Sequence, residues 1–433
     1  MANTNPLGTL TPDTLAGIVA AASSTGYEEW WGRVRSSGYC AHPIHLTRTT
    51  TAGTTTVYAR CENRRETVCP ACSDLYALDT WHVVTGGLTS EHLTDAAAVF
   101  ITLTAPSFGA VHTTYADDPG RSCRPASKGA CANGTPTGCS KSHQSGDPAV
   151  GSPLCADCYD YETHALTTWW FPALWNRYTR TLRRLVTRQA PGVKVSFVKV
   201  MEMQARLAPH YHAILRANNE PGAPSITPDT LMTLAAAAAS LIRVEVPSTS
   251  GTTPLRFGAQ VDVKPLRYQE ETRRVGGYLA KYVTKSITST PLPARIPAAN
   301  IDLLPIPAHH RRIMSTLMRL ATLLPDEYAG MADRLGTFGW RGHTTTKSRT
   351  FSTTMTAQKQ HRAAWRAEHA AAPGNGSDSD AEAGQADWEY TRSGHKTLGH
   401  RYLAVTAALT HREQLRTAHT IDDTTAPTGQ GAP

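Results

Sequence analysis

The sequence contains no long hydrophobic segment. No apolar run approaches the roughly 20 residues that a helix needs to cross a bilayer, and the first residues, MANTNPLGTLTPDT, lack a basic region followed by an apolar core. The GxxxxGK[ST] pattern of a nucleotide-binding loop is absent as well, as are repeats of solenoid length. We therefore expect a soluble, cytoplasmic protein that has no membrane partner and does not itself drive unwinding with ATP.

Charged residues are also scarce, at 18% of the 433 residues, whereas Thr, Ala, Gly and Pro are frequent. This composition implies one main domain with long connections and appendages. The net charge is nevertheless +8 and the isoelectric point is near 9.0. Because lysines and arginines that neutralise phosphates release condensed counterions, this charge favours an anionic partner such as nucleic acid.

Cysteine is absent before Cys40 and after Cys158. An odd count of nine, without a secretion signal, argues against a disulfide framework. Two CxxC pairs with further cysteines upstream instead predict tetrahedral zinc, although buried thiols or a redox CxxC are alternatives. The spacing predicts a first, ribbon-like set of four ligands, which are Cys40, Cys61, Cys69 and Cys72.

A second cysteine set offers more ligands than one zinc ion requires. It contains Cys123, Cys131, Cys139, Cys155 and Cys158, with His143 nearby. We favour Cys139, Cys155 and Cys158 as ligands, with Cys131 as a candidate for the undecided fourth position. One or two zinc ions are thus expected, and they are structural because a closed four-ligand site leaves no position for a substrate.

Alternating strand-like and helical patterns predict an α+β fold with a central, mainly antiparallel sheet and flanking helices. The β-branched and aromatic run 98–104 predicts a strand, and 162–188 has helical periodicity. Segments 193–203 and 210–215 predict a hairpin with a short connection. Further predicted elements are a helix at 227–244, a strand at 257–263, and helices at 268–285 and 396–418.

Composition divides the chain into five segments. They are residues 1–95 with the first cysteine set, 96–290 as the main domain with a cysteine-rich insertion at 105–160, 291–370 as a helical, basic accessory region, 371–387 as a flexible linker, and 388–433 as a C-terminal helix with a disordered tail.

Two short motifs offer the groups for a reaction. His210 and His212 lie two apart in an apolar, strand-like run, so both project from one face of the sheet while Tyr211 points the other way. Tyr278 and Tyr282 lie four apart in a predicted helix and share one face. Each pattern alone also fits plain packing, but a metal pair and a tyrosine pair together indicate phosphodiester chemistry.

Three motifs in this order resemble the HUH endonucleases that initiate rolling-circle replication. They are the FxTLT-like strand Phe100 to Thr104, His210-x-His212, and Tyr278-x-x-Lys281-Tyr282-x-x-Lys285. The chain is most similar to the RepSA-type plasmid replication initiators of actinobacteria, and YLAKYVTK is similar to the two-tyrosine motif of gene A initiators from small single-stranded DNA phages. The cysteine-rich N-terminus and the GWRGH and TKSR stretches also resemble the RepSA type. The resemblance implies an HUH nicking and strand-transfer domain at 96–290.

This resemblance implies that His210, His212 and a third polar ligand hold one divalent cation. The best candidate for the third ligand is Glu202, which lies eight residues before His210 on the preceding strand. A mixed imidazole and carboxylate set with open positions suits Mg²⁺ or Mn²⁺.

The implied reaction is the attack of a tyrosine on origin DNA, which forms a 5′-phosphotyrosine and a free 3′-OH primer. Tyr278 and Tyr282 are the candidate nucleophiles, and a second tyrosine can cleave the regenerated origin. Lys281 and Lys285 are placed to lower the pKa of Tyr282 or to neutralise a phosphate. A carboxylate at Glu270 or Glu271 that activates a terminating water, as in some one-tyrosine relatives, is an alternative.

The implied partners are origin DNA, single-stranded or extruded as a hairpin at the nick site, and a host helicase and DNA polymerase. Candidate phosphate contacts are Arg341, Lys347, Arg349 and Lys285. Asp262 is either a partner of a metal-binding histidine or part of a salt bridge with a lysine.

Two other functions fit the same motifs. The first is an HUH relaxase or transposase with the same chemistry, although relaxases often place the tyrosine before the histidines and such transposases are usually shorter. The second is a zinc-ribbon DNA-binding regulator without catalytic activity. Metal stoichiometry separates the two classes, because only the enzyme needs an exchangeable ion beside its structural zinc.

Overall fold

The computed structural model describes residues 10–51, 53–88, 96–115, 118, 120–124, 129–144, 146–219, 224–266, 274–279, 292, 296–370 and 388–425. These residues form a mixed α+β structure with antiparallel sheets and helices, as the sequence predicts. They divide into two compact units, one formed by the described residues from 80 to 355 and the other by 10–79 and 356–425. The five segments proposed from composition are a different division, which stays a prediction.

The chain begins with helices α1 (Pro12–Ala22) and α2 (Tyr27–Ser36), strands β1 (Ile44–Thr50) and β2 (Gly53–Ala59), helix α3 (Pro70–Thr85), strand β3 (Ala96–Thr104), helix α4 (Tyr161–Gln189), strands β4 (Lys194–Met203) and β5 (Pro209–Asn218), helix α5 (Pro228–Ser240), and strands β6 (Val244–Ser248), β7 (Gly251–Leu255) and β8 (Val261–Pro265). It continues with helices α6 (Ala308–Leu323) and α7 (Pro325–Tyr328), strand β9 (Thr345–Lys347), helix α8 (Met355–Ala370), strand β10 (Glu389–Ser393) and helix α9 (Leu398–Thr425). Residues 274–279 are helical, and 3₁₀ turns occupy Ala298–Leu303 and Ala329–Thr337.

The larger unit is built on a five-stranded sheet with the order β8-β3-β5-β4-β9, in which every neighbouring pair is antiparallel. The predicted hairpin is present as β4 and β5. Its register places Glu202 opposite His210, and it places His212 between Val200 and Thr102. Since directly opposed residues in an antiparallel pair share a face, the histidines, Glu202 and Thr102 lie on the same side of the sheet.

The other face of this sheet is covered by α4. Tyr211, between the two histidines in sequence, is fully buried there, and its ring lies 4.7 Å from that of Phe171 and 5.4 Å from that of Trp175, centroid to centroid. Burying one such aromatic side chain contributes roughly 2–3 kcal/mol. Asp160 caps the start of α4 by accepting a hydrogen bond from the Thr163 amide at 2.9 Å. The alternation between core-facing Tyr211 and its histidine neighbours is therefore fixed by the packing of α4.

The predicted strand at 257–263 is misplaced. The strand runs from Val261 to Pro265. Residues 244–255, which come before it, lie outside this sheet and form the β6–β7 hairpin. Phe257 is buried in the core, and the Gly258 amide donates to Thr104 O at 2.7 Å. A Cβ at Gly258 would lie 3.0 Å from Ala105 O, so the chain crosses the end of β3 here rather than pairing along it.

The smaller unit has a three-stranded antiparallel sheet with the order β10-β1-β2. Helices α1 and α9 cross where two glycines meet, since a Cβ on Gly399 would lie 2.2 Å from the Gly17 carbonyl carbon. The predicted C-terminal helix is present and runs to Thr425, beyond its predicted end at residue 418. Residues 371–387, predicted as a linker, and the tail after residue 425 lie outside the described residues.

None of the helices in the described ranges combines the length and the apolar character that a membrane crossing requires.

Candidate active site

The hairpin of β4 and β5 brings the predicted ligands together. His212 Nε2 lies 3.3 Å from Glu202 Oε2, and the rings of His210 and His212 are 4.4 Å apart, centroid to centroid. His212 is buried, whereas His210 and Glu202 are half-buried. Although the register sets Glu202 opposite His210, the hydrogen bond formed by its carboxylate runs diagonally to His212. The site thus has two imidazoles and a carboxylate on one face of the sheet.

Two threonines of β3 orient the two imidazole rings. Thr104 Oγ1 lies 3.1 Å from His210 Nδ1, and Thr102 Oγ1 lies 3.3 Å from His212 Nδ1. Because each Nδ1 has a hydroxyl partner, the Nε2 atoms are the nitrogens left to face a cation, as is usual for metal-binding histidines. Sequence reasoning named the strand but missed this role. The sequence feature that could have revealed it is the spacing of two residues between Thr102 and Thr104, which matches the spacing of His210 and His212.

His210 is held in the form that binds metals. Burial, followed by the neighbouring His212, lowers the pKa of His210 to about 4. The imidazole is therefore neutral near pH 7, with a free lone pair on one nitrogen. Gln204 Nε2 also lies 3.4 Å from His210 Nδ1, so the turn that follows β4 contacts this ring as well.

Tyr278 lies at this site. Its hydroxyl is 3.5 Å from His212 Nε2, and its ring meets the His212 ring edge-on at 5.1 Å. Phe100 completes the group, since it is stacked on His212 and lies edge-on to Tyr278. Tyr278 is 40% exposed, so part of this residue faces solvent beside the histidines.

The close approach of the helical residues 274–279 depends on a glycine. A Cβ on Gly276 would lie 2.8 Å from Thr85 Cγ2 and 3.5 Å from the Trp81 ring, so a larger residue would push the segment away from α3. Tyr282, Lys281 and Lys285, together with Glu270 and Glu271, lie outside the described residues. Their roles stay predictions.

The turn between β4 and β5 is held by two buried histidines that sequence reasoning did not identify. His164 Nε2 donates to Leu207 O at 3.1 Å, and His309 Nε2 donates to Arg206 O at 3.1 Å. Tyr159 and Tyr161 hydroxyls occupy the opposite ring nitrogens. No sequence pattern links these residues, because more than 140 positions separate the two histidines.

Arg206 and Leu207 show why the turn needs such support. The Arg206 guanidinium donates to Ala105 O at 3.0 Å and Pro106 O at 2.9 Å, which ties the turn to the end of β3. Leu207 has a φ of 62°, a left-handed conformation that costs a non-glycine residue on the order of 1 kcal/mol or more. The surrounding hydrogen bonds therefore impose a strained conformation three residues before His210.

The first predicted cysteine set is brought together. Cys40 Sγ lies 3.6 Å from Cys72 Sγ and 3.8 Å from Cys69 Sγ, and Cys61 Sγ lies 3.8 Å from Cys72 Sγ. The amides of Ala41 and Cys61 donate to sulfurs at 3.3 Å. The hydrogen bonds from Cys40, Cys61 and Cys72 lower the pKa of Cys69. Four converging sulfurs of this kind can hold a tetrahedral metal ion such as zinc.

The second cysteine set is divided between two clusters. Cys131, Cys155 and Cys158 lie together, but Cys139 does not join them. It lies instead with Cys123 and two histidines, in a cluster of His112, Cys123, Cys139 and His143. The predicted set of Cys131, Cys139, Cys155 and Cys158 therefore does not form one site, since sequence spacing did not reveal that the chain folds back between Cys131 and Cys139.

The remaining candidates differ in their surroundings. The Arg341 guanidinium lies over the Trp169 ring at 4.5 Å and donates to Trp169 O at 3.0 Å, so it packs against α4. Lys347 is half-buried and donates to Ser352 O at 2.6 Å, whereas Arg349 is exposed. Asp262 forms the salt bridge with Lys264, at 3.6 Å, rather than a contact with a histidine.

Comparison with known proteins identifies the family. Residues 26–409 match the family described as "Replication initiator protein, pSAM2", and the chain therefore belongs to the RepSA-type plasmid replication initiators. A "Replication initiator protein" of Streptomyces ambofaciens is 34% identical over 450 residues, which cover 92% of this chain and 94% of the relative. No solved structure matches the chain. The resemblance inferred from the three motifs is thus confirmed at the level of the family.

Proposed function

We propose that this replication initiator nicks origin DNA at a specific site through a tyrosine nucleophile and so starts rolling-circle replication of a plasmid. The observation that carries the proposal is the Tyr278 hydroxyl, which lies 3.5 Å from His212 Nε2 on the face that also presents His210 and Glu202. A nucleophile beside a metal-binding set is the arrangement that HUH endonucleases require.

The side chains fit a hard divalent cation. His210, His212 and Glu202 would hold Mg²⁺ or Mn²⁺, because they offer two imidazoles and one carboxylate and leave further positions open. Thr102 and Thr104 would keep the two Nε2 atoms pointed at it. When bound, the ion supplies positive charge that polarises the scissile phosphate and offsets the charge developing on it.

The tyrosine performs the displacement. The Tyr278 oxygen attacks phosphorus, the bond from phosphorus to O3′ breaks, and the protein keeps the 5′-phosphate as a phosphotyrosine. The phenolic proton passes to solvent, and the leaving O3′ takes up one proton to become a free 3′-OH. That hydroxyl primes the host polymerase, while a host helicase separates the strands. Tyr282 is the second nucleophile, which cleaves the regenerated origin, and Lys281 assists it.

Origin DNA is the partner that this chemistry requires, in a single-stranded or hairpin-extruded form at the nick. Arg349 is exposed and suits a phosphate contact. Lys285 is also a candidate for a phosphate contact, because it belongs to the tyrosine motif. Arg341 and Lys347 are weaker candidates, because Trp169 and Ser352 engage their charged groups.

Structural zinc accompanies this catalytic ion. Cys40, Cys61, Cys69 and Cys72 form a closed set for one zinc ion, since all four sulfurs lie within 4.8 Å of one another. A further zinc ion would take Cys131, Cys155 and Cys158 with an undetermined fourth ligand. Closed thiolate sites leave no position for a substrate, so their role is to hold loop-rich segments together.

A covalent trapping assay tests the proposal. Wild type, Tyr278→Phe, Tyr282→Phe and the double variant are incubated with labelled single-stranded origin oligonucleotides and Mn²⁺, then separated on a denaturing gel. We expect Tyr278→Phe to lose the adduct that starts replication, and His210→Ala to lose all adducts. Tyr211→Phe is the matched control, because this buried tyrosine faces the opposite side of the sheet and its loss should leave the adduct intact.

The outcomes separate the competing functions. An adduct that disappears only in the double variant would mean that either tyrosine can attack. If wild type bound the origin strand but formed no adduct, and its metal content were chelator-resistant zinc alone, the protein would be a DNA-binding initiator without nuclease activity. Retention of nicking in His210→Ala would remove the metal assignment.

A further inference from the structure

The insertion between β3 and α4 contains a cluster that the proposed nicking function does not use. His112 Nδ1 lies 3.1 Å from His143 Nε2. Cys123 Sγ lies 3.7 Å from His112 Nδ1, and Cys139 Sγ lies 3.7 Å from His143 Nε2. All four donor atoms lie within 4.8 Å of one another.

These separations match the edges of a zinc tetrahedron. With zinc–nitrogen bonds of about 2.0 Å and zinc–sulfur bonds of about 2.3 Å, tetrahedral geometry places two ligand nitrogens ~3.3 Å apart and a nitrogen and a sulfur ~3.5 Å apart. The observed 3.1 and 3.7 Å lie within a few tenths of an ångström of both values.

Groups around the cluster orient two of the ligands. Asp147 Oδ2 lies 2.6 Å from His143 Nδ1, so the carboxylate accepts this N–H and turns Nε2 inward. The second oxygen of Asp147 accepts from the Ala149 amide at 2.8 Å, which fixes the carboxylate itself. The Thr113 amide donates to Cys123 Sγ at 3.2 Å, which fixes the position of this sulfur. A carboxylate behind a histidine and an amide on a thiolate are the outer partners that zinc sites use.

The insertion needs such a cross-link, because it has little regular structure. Its described residues between 105 and 160 contain isolated β-bridges, such as Arg124 with Cys139, but no helix or strand. Cys123 and His143 are buried there, whereas the buried large apolar side chains among its described residues are Phe108 and Tyr159, near its two ends. A bound ion supplies the folding free energy that so small a core cannot provide.

The cluster also positions the insertion against the β4–β5 turn. His112 and Gly151 are linked through the Gly151 amide, which donates to His112 O at 2.8 Å. Gly151 has a φ of 90°, and a Cβ there would lie 2.3 Å from the Ala205 carbonyl carbon. This contact leaves a cavity of about 290 Å³ between the His112 loop and the turn, lined in part by Gln204 and Arg206.

We propose that His112, Cys123, Cys139 and His143 bind one zinc ion, distinct from any held by Cys131, Cys155 and Cys158, and that this ion fixes the insertion against the turn that precedes His210. The inference does not depend on nicking, because its readouts are metal content and backbone protection.

Subtractive metal counting tests the proposal on the full chain. The zinc content of wild type is compared with that of Cys123→Ser/Cys139→Ser, of Cys155→Ser/Cys158→Ser, and of the combined quadruple variant. We expect each double variant to lose one zinc equivalent and the quadruple variant to lose two. A loss of only one in the quadruple variant would mean a single shared site, and no loss in Cys123→Ser/Cys139→Ser would overturn the assignment.

Two further measurements keep the test decisive if a variant folds poorly. His143→Cys should retain the zinc equivalent that His143→Ala loses, because a thiolate can replace the imidazole. Hydrogen exchange of residues 110–115 and 204–206 should accelerate in His143→Ala and remain near wild type in His143→Cys. Equal zinc content in these two variants, or unchanged protection in a zinc-depleted His143→Ala, would contradict the proposal.

Discussion

At the scale of single residues, the hydroxyls behind the two histidines decide how the site presents its ligands. Thr102 and Thr104 each contact an Nδ1 atom, and neither touches Glu202 in the contacts described above. Their effect on a bound cation is therefore indirect, through the direction and basicity of the imidazole rings. Partners of this kind typically change metal affinity by roughly 10–100-fold.

We expect Thr102→Val and Thr104→Val each to weaken Mn²⁺ binding by about 10-fold or more, since valine keeps the shape and removes the hydrogen bond. Calorimetric titration with Mn²⁺ measures this, and the Mn²⁺ concentration that gives half-maximal adduct should rise in parallel. Thr102→Ser is the control, because it retains the hydroxyl. Equal Mn²⁺ affinity in Thr102→Val and Thr102→Ser would show that the ring is oriented by packing alone.

The residues of this site were predictable to different degrees. The placement of His210 and His212 on one face follows from local periodicity, which the sequence displays directly. The position of Glu202 beside His212 required only a tight hairpin. The grouping of Cys139 with Cys123, His112 and His143 was not predictable, because it depends on how a loop without regular structure folds back on itself.

At the scale of elements, the β4–β5 turn is the part of the sheet whose geometry is most heavily determined by distant residues. His164 from α4 and His309 from α6 donate to consecutive carbonyls of the turn. Burial lowers the pKa of His164 to about 3 and that of His309 to about 4. Both histidines are therefore neutral in the folded protein, whereas in the unfolded chain they titrate near pH 6.5.

The sign of the resulting pH dependence follows from this difference. Below about pH 6.5 the unfolded chain binds protons that the folded protein does not, so the free energy of unfolding falls as the pH drops towards 4. The free energy of unfolding falls by an amount on the order of 3 kcal/mol for each histidine across that range. Above pH 6.5 each neutral histidine contributes its full stabilisation.

Chemical denaturation at a series of pH values measures this loss. His164→Gln is the informative variant, because an amide can still donate to Leu207 O but does not titrate. We expect the variant to be less stable than wild type at pH 7 and to have a shallower decline between pH 6.5 and 4. Parallel curves for the two proteins would mean that His164 does not contribute to the acid sensitivity.

Element prediction succeeded where patterns are local and failed where they are not. The long amphipathic helix α4 and the β4–β5 hairpin were predicted within a few residues of their bounds. The strand near Phe257 was misplaced, because an apolar residue that fills the core from a crossing loop has the same local pattern as one in a ladder. The edge strand β9 was missed, since three residues carry too little periodicity to be seen.

At the scale of the whole molecule, the proposed metal sites differ in the number of ligands they offer. The closed cysteine set of the smaller unit and the His112 cluster each bring four possible ligand atoms together. The proposed site at His210 offers three, from two imidazoles and one carboxylate. Closed thiolate sites exchange their metal slowly, while a carboxylate and imidazole site for a hard cation exchanges it readily.

Brief treatment of the full chain with EDTA should therefore abolish adduct formation and leave most of the zinc in place. Addition of Mn²⁺ or Mg²⁺, without zinc, should restore the adduct. Zinc measured by elemental analysis before and after the treatment serves as the control. Recovery only on addition of zinc would place a zinc ion in the reaction and overturn the assignment of a hard cation to His210, His212 and Glu202.

The fixed turn before His210 has a consequence for how the site meets its substrate. Hydrogen bonds from two helices, the Arg206 contacts to the end of β3, and the fit of Gly151 against Ala205 hold the hairpin turn in one conformation. Under the proposed nicking function, a strand that binds here therefore adapts to the turn. Discrimination among sequences becomes a matter of how easily each one melts and bends into a rigid receptor, so an origin that is already unpaired binds with the smallest conformational penalty.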